Sequence, residues 1–188
     1  QWHKDAILDN KQRSYDDFIA VAEDLIKRGL TTSDQLIICG GSNGGLLVTA
    51  VMVQRPDLFG GVCCQVPLTD MQRYNKLLAG ASWIAEYGDP DKPDQWAYIS
   101  RYSPYHNLSS SVTYPPILFI TSTKDDRVHP GHARKMAAAM ESLGAKDVYY
   151  YENIEGGHGS ASNYEQYAYN KALQYAFMWG IWSTKGHE

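Results

Sequence analysis

Residues 35–47, Gln-Leu-Ile-Ile-Cys-Gly-Gly-Ser-Asn-Gly-Gly-Leu-Leu, limit more than any other stretch what this chain can fold into. Residues 36–39 form a short unbroken apolar run, the pattern of a strand buried on both faces. After Ser42 the spacing becomes helical, with Leu46, Leu47, Ala50, Val51 and Val53 on one side before Pro56 ends the run. A serine is thereby fixed at a sharp passage from strand to helix. Side chains at Gly40 and Gly44 are expected to collide across so tight a turn, and Gly41 and Gly45 to clear bulk from around the hydroxyl.

A strand that turns into a helix through G-x-S-x-G is the nucleophile elbow of α/β-hydrolases, here Gly40-Gly41-Ser42-Asn43-Gly44. Its electrostatics suit the role. Ser42 falls at a helix N-terminus, where unpaired N–H groups and the helix dipole favour developing negative charge. The N–H of Asn43, the residue after the nucleophile, is the expected first donor of an oxyanion hole. A phosphate-binding loop does not fit, since no G-x-x-x-x-G-K-[ST] follows and no G-x-G-x-x-G is paired with a suitably spaced acid.

A length of 188 residues predicts one domain with a substantial core. The net charge of −4, without a Lys/Arg block, gives no reason to expect a nucleic-acid partner. No apolar run approaches the roughly 20 residues of a membrane-spanning helix, so no membrane partner is expected. The chain opens on Gln1 rather than Met, and its natural N-terminus is expected to lie elsewhere. Cys39, Cys63 and Cys64 all fall in strands expected to be buried, with the last two on opposite faces. An odd count without C-x-x-C spacing points to small core residues rather than a disulfide framework or a zinc site.

Around the elbow, helices and strands alternate. A helix over residues 14–28 is expected, with Ser14 and Asp17 as a capping box and Phe18, Val21, Ala22, Leu25 and Ile26 as its apolar face. Strands follow over 61–66, 117–121 and 148–151, with helices over 130–143 and 163–182. Such alternation gives a doubly wound, mostly parallel sheet with helices on both faces. Residues 67–108 form a long aromatic-rich insertion at the end of the sheet where substrate pockets are built.

A serine nucleophile requires a base, and the base an orienting carboxylate; in this fold they follow in the order Ser, acid, His, each just past a strand. The strand over 117–121 leads into Ser122-Thr123-Lys124-Asp125-Asp126-Arg127-Val128-His129-Pro130, which offers two adjacent acids. The last strand leads into Glu155-Gly156-Gly157-His158-Gly159, so His158, in a flexible glycine-flanked loop, is the candidate base. His129 and His132 are expected at the surface or capping a helix. His3, His106 and His187 have no strand-end setting.

Trp2-His3-Lys4, Asn10-Lys11-Gln12, Asp16-Asp17-Phe18, Gly40-Gly41-Ser42-Asn43-Gly44-Gly45, Gln54-Arg55-Pro56-Asp57-Leu58-Phe59, Tyr102-Ser103-Pro104, Asp125-Asp126-Arg127-Val128 and Gly157-His158-Gly159 together resemble the catalytic domain of prolyl oligopeptidases. The resemblance spans essentially the whole chain. It implies an α/β-hydrolase domain that cleaves peptides, often after proline, with no cofactor and no metal. It implies Ser42 as nucleophile, His158 as base and Asp125 as triad acid. Arg127 matches an arginine that holds a substrate carbonyl, and Trp83 and Tyr87 match aromatics of the proline pocket, where Val128 and Asn43 also fall. Residues 1–188 then correspond to the C-terminal part of the catalytic domain. The β-propeller that restricts substrates to short peptides, and the first strands with the tyrosine that completes the oxyanion hole, lie outside them.

The triad and fold leave the acyl group open, so an esterase or acylaminoacyl-type hydrolase is a second reading, and a folded segment without turnover a third. The nucleophile strand is central in this fold yet is the first strand here. Its other edge is therefore expected to be completed by an upstream part of the same polypeptide or by a second copy.

Overall fold

A computed structural model describes residues 1–185. The first helix, α1 (Gln12–Lys27), starts earlier than the capping pattern suggests. Residues 8–10 form a 3-10 turn, and Lys11 already has helical dihedrals, so the amide of Ser14 continues the ladder to the Lys11 carbonyl at 3.1 Å. Ser14 therefore caps nothing. The buried stripe runs through Tyr15, Phe18, Ile19, Ala22 and Ile26, while Val21, a quarter-turn off it, is 60 % exposed.

Strand β1 (Ile37–Gly41) leads through Ser42 into helix α2 (Asn43–Gln54), whose middle is buried from Val48 to Met52. Strand β2 (Gly61–Gln65) precedes the insertion, which holds one helical turn, α3 (Ile84–Tyr87), and helix α4 (Pro93–Tyr102). Strand β3 (Ile117–Ser122), helix α5 (Gly131–Ser142), strand β4 (Val148–Asn153) and the long helix α6 (Tyr164–Lys185) complete the order. All four strands are parallel and lie side by side in chain order.

The two sheet faces are covered separately. Ile38, Val62, Cys64, Ile117 and Phe119 join the core with α1, α2 and α5. The opposite face meets α6: Cys39 Sγ lies 3.7 Å from Met178 Sδ, and a Cβ at Gly61 would stand 2.5 Å from Ile181. Cys63 and Cys64 are buried on opposite faces as expected, but Cys39 is exposed. It lies on β1, the edge strand among the described residues, where there is no further strand to cover it. Leu36, Ile37, Met178, Trp179 and Trp182 line an open apolar groove beside that edge.

Candidate active site

Ser42 has φ 56° and ψ −119°, a conformation that non-glycine residues adopt only under constraint. Two neighbours impose it. The Ser42 amide donates to the Gln65 carbonyl at 2.9 Å, as if the ladder ran one residue further. The helix begins at once, with Leu46 N–H donating to the Ser42 carbonyl at 3.1 Å. The amides of Asn43, Gly44 and Gly45 precede that first helical bond, at the positively polarised end of α2 next to Ser42.

The glycines divide their work differently from the expectation. A Cβ at Gly40 would lie 2.1 Å from the Gly44 carbonyl oxygen, so Gly40 is sterically required. A Cβ at Gly44 would meet nothing within 4 Å. At Gly45 it would stand 2.8 Å from Pro67, which makes Gly45 the residue that lets α2 approach the chain leaving β2.

The loop after β3 carries Asp125, which is 4 % exposed. Its Oδ1 accepts the N–H groups of Arg127 and Val128, each at 2.9 Å. Both carboxylate oxygens face His158 Nδ1, at 3.1 and 2.8 Å. Burial alone would raise the carboxyl pKa; the His158 bond and the two amides outweigh it and hold the group below its ordinary range. Asp126 next to it is exposed. The start of α5 is capped by His129, whose Nδ1 accepts from the Gly131 amide at 2.9 Å.

His158 follows β4. A carboxylate only accepts, so Nδ1 carries the proton and Nε2 is left as an acceptor, 3.1 Å from Ser42 Oγ. The loop holding it is tied rather than loose. The buried Asn153, last in β4, accepts the amides of Glu155 and Gly156 at 2.8 Å each, and Asn170 of α6 donates to the Ser160 carbonyl at 2.5 Å. Ser42, Asp125 and His158, after β1, β3 and β4, thus form one hydrogen-bonded line at the same end of the sheet.

Residues 1–183 match the prolyl oligopeptidase family. The chain belongs to that family. It is 54 % identical over 178 residues to a peptidase of Sinorhizobium fredii named y4nA, covering 95 % of this chain and 24 % of the relative. It is 40 % identical to a prolyl endopeptidase of Elizabethkingia miricola, with 88 % and 24 % covered. A solved structure of a post-proline cleaving enzyme from Rickettsia typhi superposes with a TM-score of 0.94 at 43 % identity, over 96 % of this chain and 26 % of that one. The chain therefore spans about a quarter of the length of these relatives.

The other positions expected from the prolyl oligopeptidase resemblance lie on α3 and in the acid loop. Trp83 is half-buried and packs on the core at the start of α3. Tyr87, at the end of α3, is buried, and its hydroxyl donates to Asn43 Oδ1 at 2.7 Å. Val128 is buried under the acid loop and Arg127 is exposed. The Arg127 carbonyl accepts the Ala79 amide at 3.2 Å, which ties the insertion to the acid loop.

Two buried polar groups near the site escape sequence reasoning. His132, expected at the surface or capping a helix, is 2 % exposed; its Nδ1 accepts the amides of Thr69 and Asp70 at 3.3 and 3.1 Å. Burial lowers its pKa from 6.5 to about 4, so the ring is neutral. Asp70, just past β2, is also buried and pairs with Lys135 and with Arg73. Burial would raise its pKa, and Lys135 reverses the shift. Together His132 and Asp70 pin the root of the insertion to α5. No spacing rule marks them, because their partners are backbone amides and residues far away in sequence.

Proposed function

We propose that this chain carries the C-terminal part of the catalytic domain of a serine peptidase that cleaves peptide bonds after proline in short peptides. The observation behind this reading is the continuous line Asp125–His158–Ser42, with 2.8 and 3.1 Å separations. Ser42 Oγ attacks the scissile carbonyl as its proton passes to His158 Nε2. Asp125 holds the ring in the required tautomer and stabilises the imidazolium. The oxyanion takes the Asn43 N–H, with a second donor supplied from outside these residues. His158 then protonates the leaving amine, and water, deprotonated by the same nitrogen, releases the acyl group from Ser42.

Trp83, Tyr87 and Val128 would form the apolar pocket for the proline ring, and Arg127 would bind a substrate backbone carbonyl. No cofactor takes part. The open edge of β1 and the apolar groove beside it would be covered by an upstream part of the same polypeptide, or failing that by a second copy.

The test is a fluorophosphonate probe applied to the whole natural polypeptide, with rates measured on a proline amide and on a nitrophenyl ester. Labelling at Ser42 that is lost in Ser42→Ala, with turnover of the proline amide, is expected. Labelling that survives in the alanine variant would overturn the nucleophile assignment. Turnover of the ester alone would transfer the site to esterase chemistry.

A further inference from the structure

Lys11 is a charged residue in an unusual place. Its side chain is 6 % exposed, although it lies in the short connection between a 3-10 turn and α1, far in sequence from the nucleophile. Buried lysines are rare and need a partner. Two groups from α3 supply one. Glu86 Oε1 accepts from Lys11 Nζ at 2.5 Å, and the Tyr87 ring lies under the same ammonium, 5.4 Å from its centroid. The second oxygen of Glu86 takes His3 Nε2 at 3.0 Å. Burial would raise the Glu86 pKa, but the Lys11 bond overrides it and keeps the carboxylate charged.

What Lys11 holds leads to the reacting atoms. Tyr87 is further packed edge-on against Tyr74, with centroids 5.4 Å apart, and its carbonyl accepts from Tyr102 at 3.4 Å. Its hydroxyl donates to Asn43 Oδ1 at 2.7 Å. Asn43 directly follows Ser42, and its backbone amide lies where the oxyanion is expected. A side chain held at Oδ1 restricts the torsions through which that amide could turn away.

We propose that Lys11 is a positioning residue of the active site. Through Glu86 and the face of Tyr87 it fixes the α3 turn, and the Tyr87 hydroxyl transmits that constraint to the oxyanion amide of Asn43. The inference rests on the acyl-transfer reading of Ser42 given above. The N-terminal segment thereby sets catalytic geometry as well as packing. A methylene-rich side chain in place of Lys11 fills the space but releases Glu86 and the ring.

The experiment uses the whole natural polypeptide and the variants Lys11→Met, Lys11→Arg, Tyr87→Phe and the Lys11→Met/Tyr87→Phe double variant. Sites are counted by fluorophosphonate titration, and kcat and KM are measured on proline and alanine amides. Lys11→Met is expected to lower kcat per labelled site about tenfold on both substrates with KM unchanged, as a small displacement of a positioned donor does. Lys11→Arg should recover most of the loss. The double variant should be no slower than Tyr87→Phe alone, since both changes break one path. A fall in melting temperature with kcat per labelled site intact would overturn the proposal and leave Lys11 a packing residue. Strictly additive losses would overturn the route through Tyr87. A wild-type protein that neither labels nor turns over would instead refute the peptidase reading itself.

Discussion

The carbonyl oxygen of Gly44 occupies the space where a side chain on Gly40 would begin, 2.1 Å from an ideal Cβ. Gly44 itself has open space at the same test. The two glycines of the motif are therefore unequal. Gly40→Ala must push the first turn of α2 away from β1 and should cost about 3 kcal/mol, with loss of probe labelling at Ser42. Gly44→Ala should leave the elbow intact and raise stability by about 0.5–1 kcal/mol through helix propensity and a less flexible unfolded chain. Thermal melts of the two variants check this. Equal destabilisation would show that the turn can relax around Gly40.

Asp125 and Asp126 are neighbours with different surroundings. In Asp125→Asn, Oδ1 would stay on the Arg127 and Val128 amides, and the new NH2 group would face His158 Nδ1. Two donors cannot share that bond, so the ring must turn or change tautomer. Turnover should fall on the order of 10⁴-fold with little change in fold. Asp126→Asn, at the surface, should change rate by less than about twofold, since surface substitutions are usually close to neutral. Steady-state kinetics on both variants decide between them.

The buried neutral ring of His132 predicts acid lability. Its folded pKa, about 4, lies below its ordinary 6.5, so the unfolded chain binds the proton first. Stability from this group is present above about pH 6.5 and is lost as pH falls towards 4, by up to about 3 kcal/mol. His132→Asn keeps an acceptor oxygen for the Thr69 and Asp70 amides and removes the titration. Its melting temperature should vary less between pH 7 and pH 4 than that of the parent, as scanning calorimetry at several pH values would reveal. Asp125 adds to the same slope at lower pH, because its depressed pKa also withdraws stability on acidification.

How these groups appear in the sequence explains what could be read from it. The strand–turn–helix around Ser42 and the strand-end acid and base are local patterns, and each predicted element has a counterpart displaced by three residues or fewer. Asp125 and His158 are legible because the fold puts them at strand ends, where position in the chain implies position in space. Helix ends were less legible. The start of α1 is set by the preceding turn of 3-10 helix, which has no hydrophobic period to announce it. Lys11, Asp70 and His132 were illegible for a different reason. Their burial depends on partners 62 to 75 residues away, and charge or ring chemistry alone suggests the surface.

Trp83 tests the pocket. Trp83→Ala should slow proline substrates about tenfold or more relative to alanine substrates if the indole covers the pyrrolidine ring, since an aromatic face supplies several kcal/mol of apolar contact. Equal losses on both substrates, together with a lower melting temperature, would assign Trp83 to packing of α3 on the core.

The edge of β1, unpaired among the described residues, makes a prediction about the 188 residues made alone. Unpaired ladder groups beside Leu36, Ile37 and the aromatic side of α6 should drive it to self-associate, and light scattering should find dimers or larger species. A soluble monomer with full turnover would show that the sheet needs no completion.

Ser42 and His158 are separated by 116 residues, and they follow the first and last strands among the described residues. On the proposed chemistry, a chain whose β4 has not docked lacks the base beside Ser42. That base arrives only when β4 has docked and a closure of 116 residues has brought His158 to Ser42. Reactivity at Ser42 would then be a clock for the docking of β4. During refolding it should lag behind helix formation, and a misassembled sheet would be chemically silent however much secondary structure it held.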